Sequence, residues 1–263
     1  MGFLLSRRWA LFALAVVISA WGAVALGDWQ FHRLDERQRD NAIVGRNLDA
    51  SPVPLQDVMS AERAPRLEDE WRRVTVRGTY DDEHTIVLKY QTRDSGPGVD
   101  VVTPLVTESG TAVLVDRGWM ESQNSGSTRP ELPAASDDPV TVMGYVRQDA
   151  TGSSTRVGDL STRAISSRAI GDVVPYDLFS GFLDLAAEAP RPDASLAAVE
   201  LPDHSSNGPH FFYGLQWWFF GALAVFGFCY LAFDEFRRRR GGIGSDRPQH
   251  AAVDGEHHAG HER

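Results

Sequence analysis

Two uncharged apolar runs stand near the two ends of this chain, Trp9 to Leu26 and Phe211 to Phe233. A hydrocarbon core roughly 30 Å thick takes about 20 helical residues to cross. Each run therefore predicts a transmembrane helix, over 9–27 and 211–233, with a polar segment of ordinary domain size between them. After the first run, Asp28 to Arg46 has few breakers and many charges, so the helix is predicted to continue past the bilayer until Pro52 and Pro54 end it. Leu55 to Met59 is read as a short turn or helix.

From Trp71 the period changes to two. Val74 and Val76 within Arg73 to Tyr80 mark a half-buried strand. Thr85 to Tyr90 reads as its hairpin partner across a polar turn at Asp81 to His84. Val99 to Val106 and Thr111 to Val115 form a second pair, joined by Glu108-Ser109-Gly110. Val140 to Val146 is a further strand, and Asp177 to Ala187 reads as a short helix. Ser122 to Pro139 is rich in Ser, Pro, Asp and Asn and reads as a loop, and Gly152 to Ser167 as a mobile segment. Short strands between polar turns predict an antiparallel sheet or small barrel. The fold class expected is a membrane protein with two transmembrane α-helices flanking a β-rich (α+β) domain.

Charge orients this hairpin. Arg7 and Arg8 precede the first run and Arg237 to Arg240 follow the second. Basic residues beside a span favour the cytoplasmic side. Residues 1–8 and 234–263 are thus expected in the cytoplasm and 28–210 outside it, in a plasma-membrane protein that contacts lipid. Ala23-Val24-Ala25 also resembles a signal-peptide cleavage site. Against that reading, the run is 18 residues long and carries Trp9 and Trp21 near its ends, as an aromatic belt does. The tail from Gly241, with His250, His257, His258 and His261, has almost no large apolar residue and is expected to be disordered; its histidines could hold a divalent metal weakly.

The net charge of −10 is carried by the segment between the runs, which repels nucleic acid, so nucleic-acid binding is set aside. Cys229 is the single cysteine of this sequence, and thiol exchange and copper delivery through paired thiolates are excluded with it. No GxSxG, P-loop or HExxH occurs, and His84 and His204 are isolated. The expectation is a protein that is not an enzyme.

The residues at the membrane exits carry the remaining signal. Trp29 suits the headgroup layer, and Arg33 lies four residues on, within cation–π reach. At the second run Pro209 suits a first helical turn, and His210, Gly214 and Trp217 share one face at i, i+4 and i+7. Imidazole is a common axial ligand of haem, and a glycine beside it leaves room for a flat macrocycle. Gln216 lies inside the apolar run, where an amide seeks another helix or a ligand. His32 could face the same haem if the two helices pack.

Four blocks resemble the Surfeit locus protein 1 family, membrane proteins that assist assembly of cytochrome c oxidase. They are Gly27-x-Trp29-Gln30-x-x-Arg33, Arg73 to Asp81, Val113 to Trp119, and His210-x-x-Tyr213-Gly214-x-Gln216-Trp217. The resemblance implies assistance to haem a insertion into, or stabilisation of, the catalytic subunit of a haem–copper oxidase at the outer leaflet. It implies His210 as ligand of the haem iron, with Trp29, Gln30, Arg33, Tyr213, Gly214 and Trp217 at the same site. The catalytic subunit and other oxidase subunits are the implied partners. A scaffold or accessory subunit of the oxidase that binds protein without haem is the alternative. In the third block, adjacent Asp116 and Arg117 point to opposite faces of a strand and are assigned to hydrogen-bonding the turn at Gly118.

Overall fold

The computed structural model describes residues 6–192 and 196–241, so the expectations for the histidine tail fall outside the described residues. The chain forms two compact units, one from residues up to 35 and from 208 onward, the other from 36–207. Helix α1 (Arg7–Asp49) runs unbroken from the first into the second, as the lack of proline before Pro52 predicts.

The first unit is a helix pair, α1 with α4 (His210–Gly241). The helices are antiparallel: Trp9 and Phe12 stack on Phe228 at one end, and Phe31 on Phe211 and Trp218 at the other. Glycines set the close approach. A Cβ on Gly27 would collide with the Trp218 ring, one on Gly214 would come within 2.8 Å of Phe31, and one on Gly221 within 3.2 Å of Ala23. Both helices are long and apolar enough to cross a membrane, and only 11% and 6% of their apolar windows are buried. A core helix of a soluble protein hides such a surface; here Trp21, Phe212 and Phe226 are each at least 70% exposed. The unit is built to meet lipid. The α4 helix continues beyond Phe233 to Gly241, so residues 234–241 are helical rather than disordered. Asp234–Arg238 and Glu235–Arg239 bridges at i, i+4 support that extension.

The second unit is a barrel. Its strands are β1 (Val53–Pro54), β2 (Arg73–Tyr80), β3 (Ile86–Arg93), β4 (Gly96–Thr107), β5 (Ala112–Glu121), β6 (Val140–Arg147), β7 (Ser161–Thr162) and β8 (Leu178–Ala189). The pairings β2–β6–β8–β5–β4–β2 close a five-stranded ring. Closure depends on the length of β4, which pairs with β3 through Val102 and then with β2 from Leu105 to Thr107. Closing the ring removes the exposed edges that an open sheet would leave. The β4–β5 hairpin turns at Gly110 with φ 85°, a left-handed conformation that favours glycine.

Three features differ from the sequence expectations. Strands β2 and β3 are not partners, because a 3-10 turn at Asp82–His84 separates them and β3 pairs with β4 and β7. The predicted helix at 177–187 is strand β8, parallel to β5 and antiparallel to β6. Its Ala-rich half favours helix locally, and pairing on both edges overrides that preference. Gly152 to Ser167 is not a free segment: it holds β7, packs Ile165 into a core, and leads into α3 (Ser167–Gly171), capped by the Ser166 hydroxyl. The sheet is accordingly mixed, with β1–β2, β3–β7 and β5–β8 parallel.

Two apolar cores follow from the alternation along β5. Val113 and Val115 join Leu55, Met59, Val74, Leu105, Val142 and Leu183 in one cluster. Ala112 and Leu114 face the other way, onto Ile86, Val102, Ile165, Ile170 and Phe182. Both faces of β5 are covered, so its first half, Ala112 to Val115, reads as a continuous apolar run.

Candidate functional site

The two membrane-exit motifs meet in the helix pair. Gln30 and His210 face each other, with 2.8 Å between the Gln30 amide oxygen and His210 Nδ1. An amide oxygen only accepts, so Nδ1 carries the proton and donates it. With Nδ1 so engaged, Nε2 is the ring nitrogen left for whatever approaches from the other side. Gln30 thus does for His210 what outer-shell partners do for metal-binding histidines: it fixes tautomer and ring orientation.

Local sequence sets this geometry. Gly208 at φ 67° turns the chain into α4, and a Cβ there would lie 3.5 Å from His210 Nε2, on the edge where a ligand would come. Pro209 fills the first turn, its carbonyl accepting from the Tyr213 N–H at 3.2 Å. One turn below His210, Gly214 lets Phe31 lie against the α4 backbone. Both His210 and Gln30 are half-buried.

The other predicted residues divide. Tyr213 is 47% exposed one turn after His210, and Trp217 is half-buried one turn after Gly214, edge-on to Phe220. On α1, Trp29 is 57% exposed and Arg33 is exposed one turn beyond Gln30. His32 does not join the site. It lies two residues from Gln30, about 200° around the helix, and its Nδ1 pairs with the Asp28 carbonyl at 2.8 Å. Gln216 is likewise two residues from Gly214, about 200° away; it is exposed, and its side chain has no hydrogen-bond partner among the described residues. No group of three or more metal-binding side chains occurs among the described residues.

The other two motif blocks build the barrel. Asp116 accepts from the Gly118 N–H at 2.9 Å, as assigned from sequence, at a bulge where Gly118 has φ 125°. The strand does not end there but runs to Glu121. Arg117 points to the opposite face and donates to the carbonyls of Pro133 and Ala134, tying down the 122–139 loop rather than the turn. His84 is less isolated than its sequence context implies: Asp81 accepts from its ring at 2.7 Å and from the Tyr176 hydroxyl at 2.6 Å. Sequence reasoning also passed over Arg147 as a structural hub. It bridges Glu70 and Asp184 and lies 4.1 Å over the Trp71 ring.

Two apolar helices joined to a mixed five-stranded barrel, with a histidine–glutamine pair at one end of the helix pair, define a membrane-anchored barrel protein. The chain belongs to the SURF1 family, whose model matches residues 17–222. The SURF1-like proteins of Mycobacterium tuberculosis and Mycobacterium bovis are 29% identical over 255 residues, spanning 94% of this chain and 92% of their own length. A SURF1-like protein of Dictyostelium discoideum is 28% identical over 105 residues, 38% of this chain and 39% of its own.

Proposed function

We propose that this protein is a non-enzymatic assembly factor of a haem–copper cytochrome c oxidase, acting on haem a or on the haem-accepting catalytic subunit at the outer leaflet of the plasma membrane. Family membership supports the assembly role. The haem part rests on one observation, the hydrogen bond from His210 Nδ1 to Gln30. That bond occupies Nδ1 and leaves Nε2 as the nitrogen open to a ligand, beside a glycine and several aromatic rings, a donor set that suits a haem iron. His210 would be the axial ligand and Gln30 its orienting partner, with Tyr213, Trp217, Trp29 and Arg33 around them. Haem a would supply the redox centre of the oxidase; this chain's part is to hold it and let it go. A single imidazole on a half-exposed rim suits reversible binding, because a carrier that binds too tightly cannot release.

The same unit supports one orientation. Arg8 and Trp9 lie with Asp234, Glu235, Arg238 and Arg239 at one end of the helix pair, so the basic clusters of both helices share a side. That supports a cytoplasmic placement for this end and an outer placement for His210.

The test is absorption spectroscopy of full-length protein purified from haem-a-producing cells, with oxidase haem content measured in parallel. His210→Ala should abolish the bound haem spectrum and lower haem a incorporation. Gln30→Leu, which leaves the ligand but frees the ring, should weaken haem affinity about 10–100-fold. Unchanged incorporation with His210→Ala, together with retained binding of oxidase subunits, would replace this reading with the scaffold one.

A further inference from the structure

The outward face of α4 carries a second pattern. Phe212, Gln216, Phe219, Leu223, Phe226 and Tyr230 recur at alternating steps of four and three residues. A step pattern of this kind is a seven-residue repeat, and on a helix it draws one narrow stripe. Phe212, Phe219 and Phe226 hold one position of the repeat; Gln216, Leu223 and Tyr230 hold the other. The stripe is centred roughly opposite the Gly214 and Gly221 face that packs on α1. All six residues are exposed, the five apolar and aromatic ones from 49% at Leu223 to 74% at Phe212.

Lipid alone satisfies the apolar members of such a stripe. It does not satisfy Gln216. An amide in hydrocarbon without a hydrogen-bond partner is costly, and helices in membranes meet this by pairing polar groups across an interface. Gln216 has none within the chain among the described residues.

We infer that α4 pairs with the α4 of a second copy of this chain, through the Phe212–Tyr230 stripe, with Gln216 facing Gln216. An amide is self-complementary: across a two-fold axis, each side chain can donate its N–H and accept at its oxygen. Two copies share one membrane topology, so their α4 helices meet parallel, and a parallel pair places equal residues in the same layer. Only the in-register pair satisfies both amides; a shifted or antiparallel pair sets each amide against phenylalanine or leucine. One polar layer in an otherwise apolar seam is the device that fixes register and partner number in coiled coils. Tyr230 gives the seam a second polar layer two heptads on. Opposite faces of α4 would thus serve the α1 contact and the pairing, so a dimer leaves the His210–Gln30 corner intact.

Single-cysteine crosslinking of the full chain in native membranes tests this. In a Cys229→Ala background, Leu223→Cys places a thiol on the stripe and Ala222→Cys places one at the same depth about 100° away. Mild oxidation should give a disulfide-linked species of twice the chain mass for Leu223→Cys, several-fold above Ala222→Cys. Adding Gln216→Leu should weaken self-association about tenfold, and Gln216→Asn should retain most of it. Equal yields at the two positions, no dimer at either, or an unchanged dimer fraction in Gln216→Leu would overturn the inference. So would Leu223→Cys linking to a different membrane protein in place of its own copy, which would give the stripe to a foreign helix.

Discussion

Raising the pH from 5 to 8 should destabilise the barrel, and the cause is a buried carboxyl cluster. Asp100, Asp116 and Asp184 are 8%, 4% and 2% exposed. Asp116 and Asp184 are register partners on adjacent parallel strands, where like charges oppose each other. Burial pushes the Asp100 carboxyl up from 3.8 to about 6; the Arg93 guanidinium 3.5 Å away opposes the shift, and the Asp184 and Glu200 charges add to it. Burial and the Asp100 and Asp184 charges push Asp116 well above the usual carboxylate range, and burial raises Asp184 against the pull of Arg147. A raised acid keeps its proton in the fold over a window where the unfolded chain has lost it. Its stabilising contribution is fully present below about pH 4 and disappears as the pH rises through 6. For Asp100 alone the shift from 3.8 to about 6 corresponds to about 3 kcal/mol. About half of this, roughly 1.4 kcal/mol, is lost between pH 5 and 8, so with a urea slope of about 2 kcal/mol/M the unfolding midpoint should fall by about 0.7 M over that range through Asp100. Far-UV circular dichroism of the full-length protein in detergent reads that midpoint. Asp100→Asn, a neutral isostere, should remove the share of the slope that Asp100 contributes, leaving that of Asp116 and Asp184, and raise the midpoint at pH 8. A midpoint that is flat or rises with pH, or a slope unchanged in Asp100→Asn, would refute the reasoning.

Arg147→Met should cost the barrel about 3 kcal/mol, because it leaves buried Asp184 without its cation and removes the stacking on Trp71; urea unfolding at pH 7 checks it. Gly214→Val should cost the helix pair about 1–3 kcal/mol, since its Cβ would press within 2.8 Å of a Phe31 ring already held by Phe211 and Trp218. The readout is the ¹⁵N shift of His210, which should lose the signature of an Nδ1–H donor when Gln30 is moved away; Gly214→Ala adds the same Cβ without the two further methyls and should change it in the same direction by less.

Much of this molecule is legible where one local rule decides the outcome. Uncharged length decided the two helices, and the absence of proline before Pro52 decided how far α1 runs. Period two decided β2, and the Gly110 turn decided the β4–β5 hairpin. The rest depends on partners that the local sequence does not name. Val99 to Val106 reads as one strand in one pair, yet β4 changes neighbour partway along, and that change closes the barrel. The stretch Leu183 to Ala189 scores as helix through its alanines. The usable signal lay in the step of two from Phe179 through Gly181 and Leu183 to Leu185, together with Gly181, whose φ of 100° a helix would not tolerate. Asp116 was placed correctly because its bond to Gly118 is local; Arg117 was not, because its acceptors lie 16 and 17 residues away.

The same distinction governs the site. His210, Gly214, Gln216 and Trp217 fall within eight residues and read as one cluster, yet a helix turns about 100° per residue. Gly214 therefore faces α1 while Gln216 faces away from it, and the motif serves two surfaces rather than one. The real partner of His210 is Gln30, 180 residues earlier, brought to it by glycines at 27, 214 and 221 that let the two helices close. A glutamine at each surface then has opposite work to do. Gln30 is satisfied within the chain and spends its carbonyl on fixing an imidazole, so its removal should change what Nε2 can hold and leave self-association alone. Gln216 is unsatisfied within the chain, so its removal should change what α4 can pair with and leave the His210 tautomer alone.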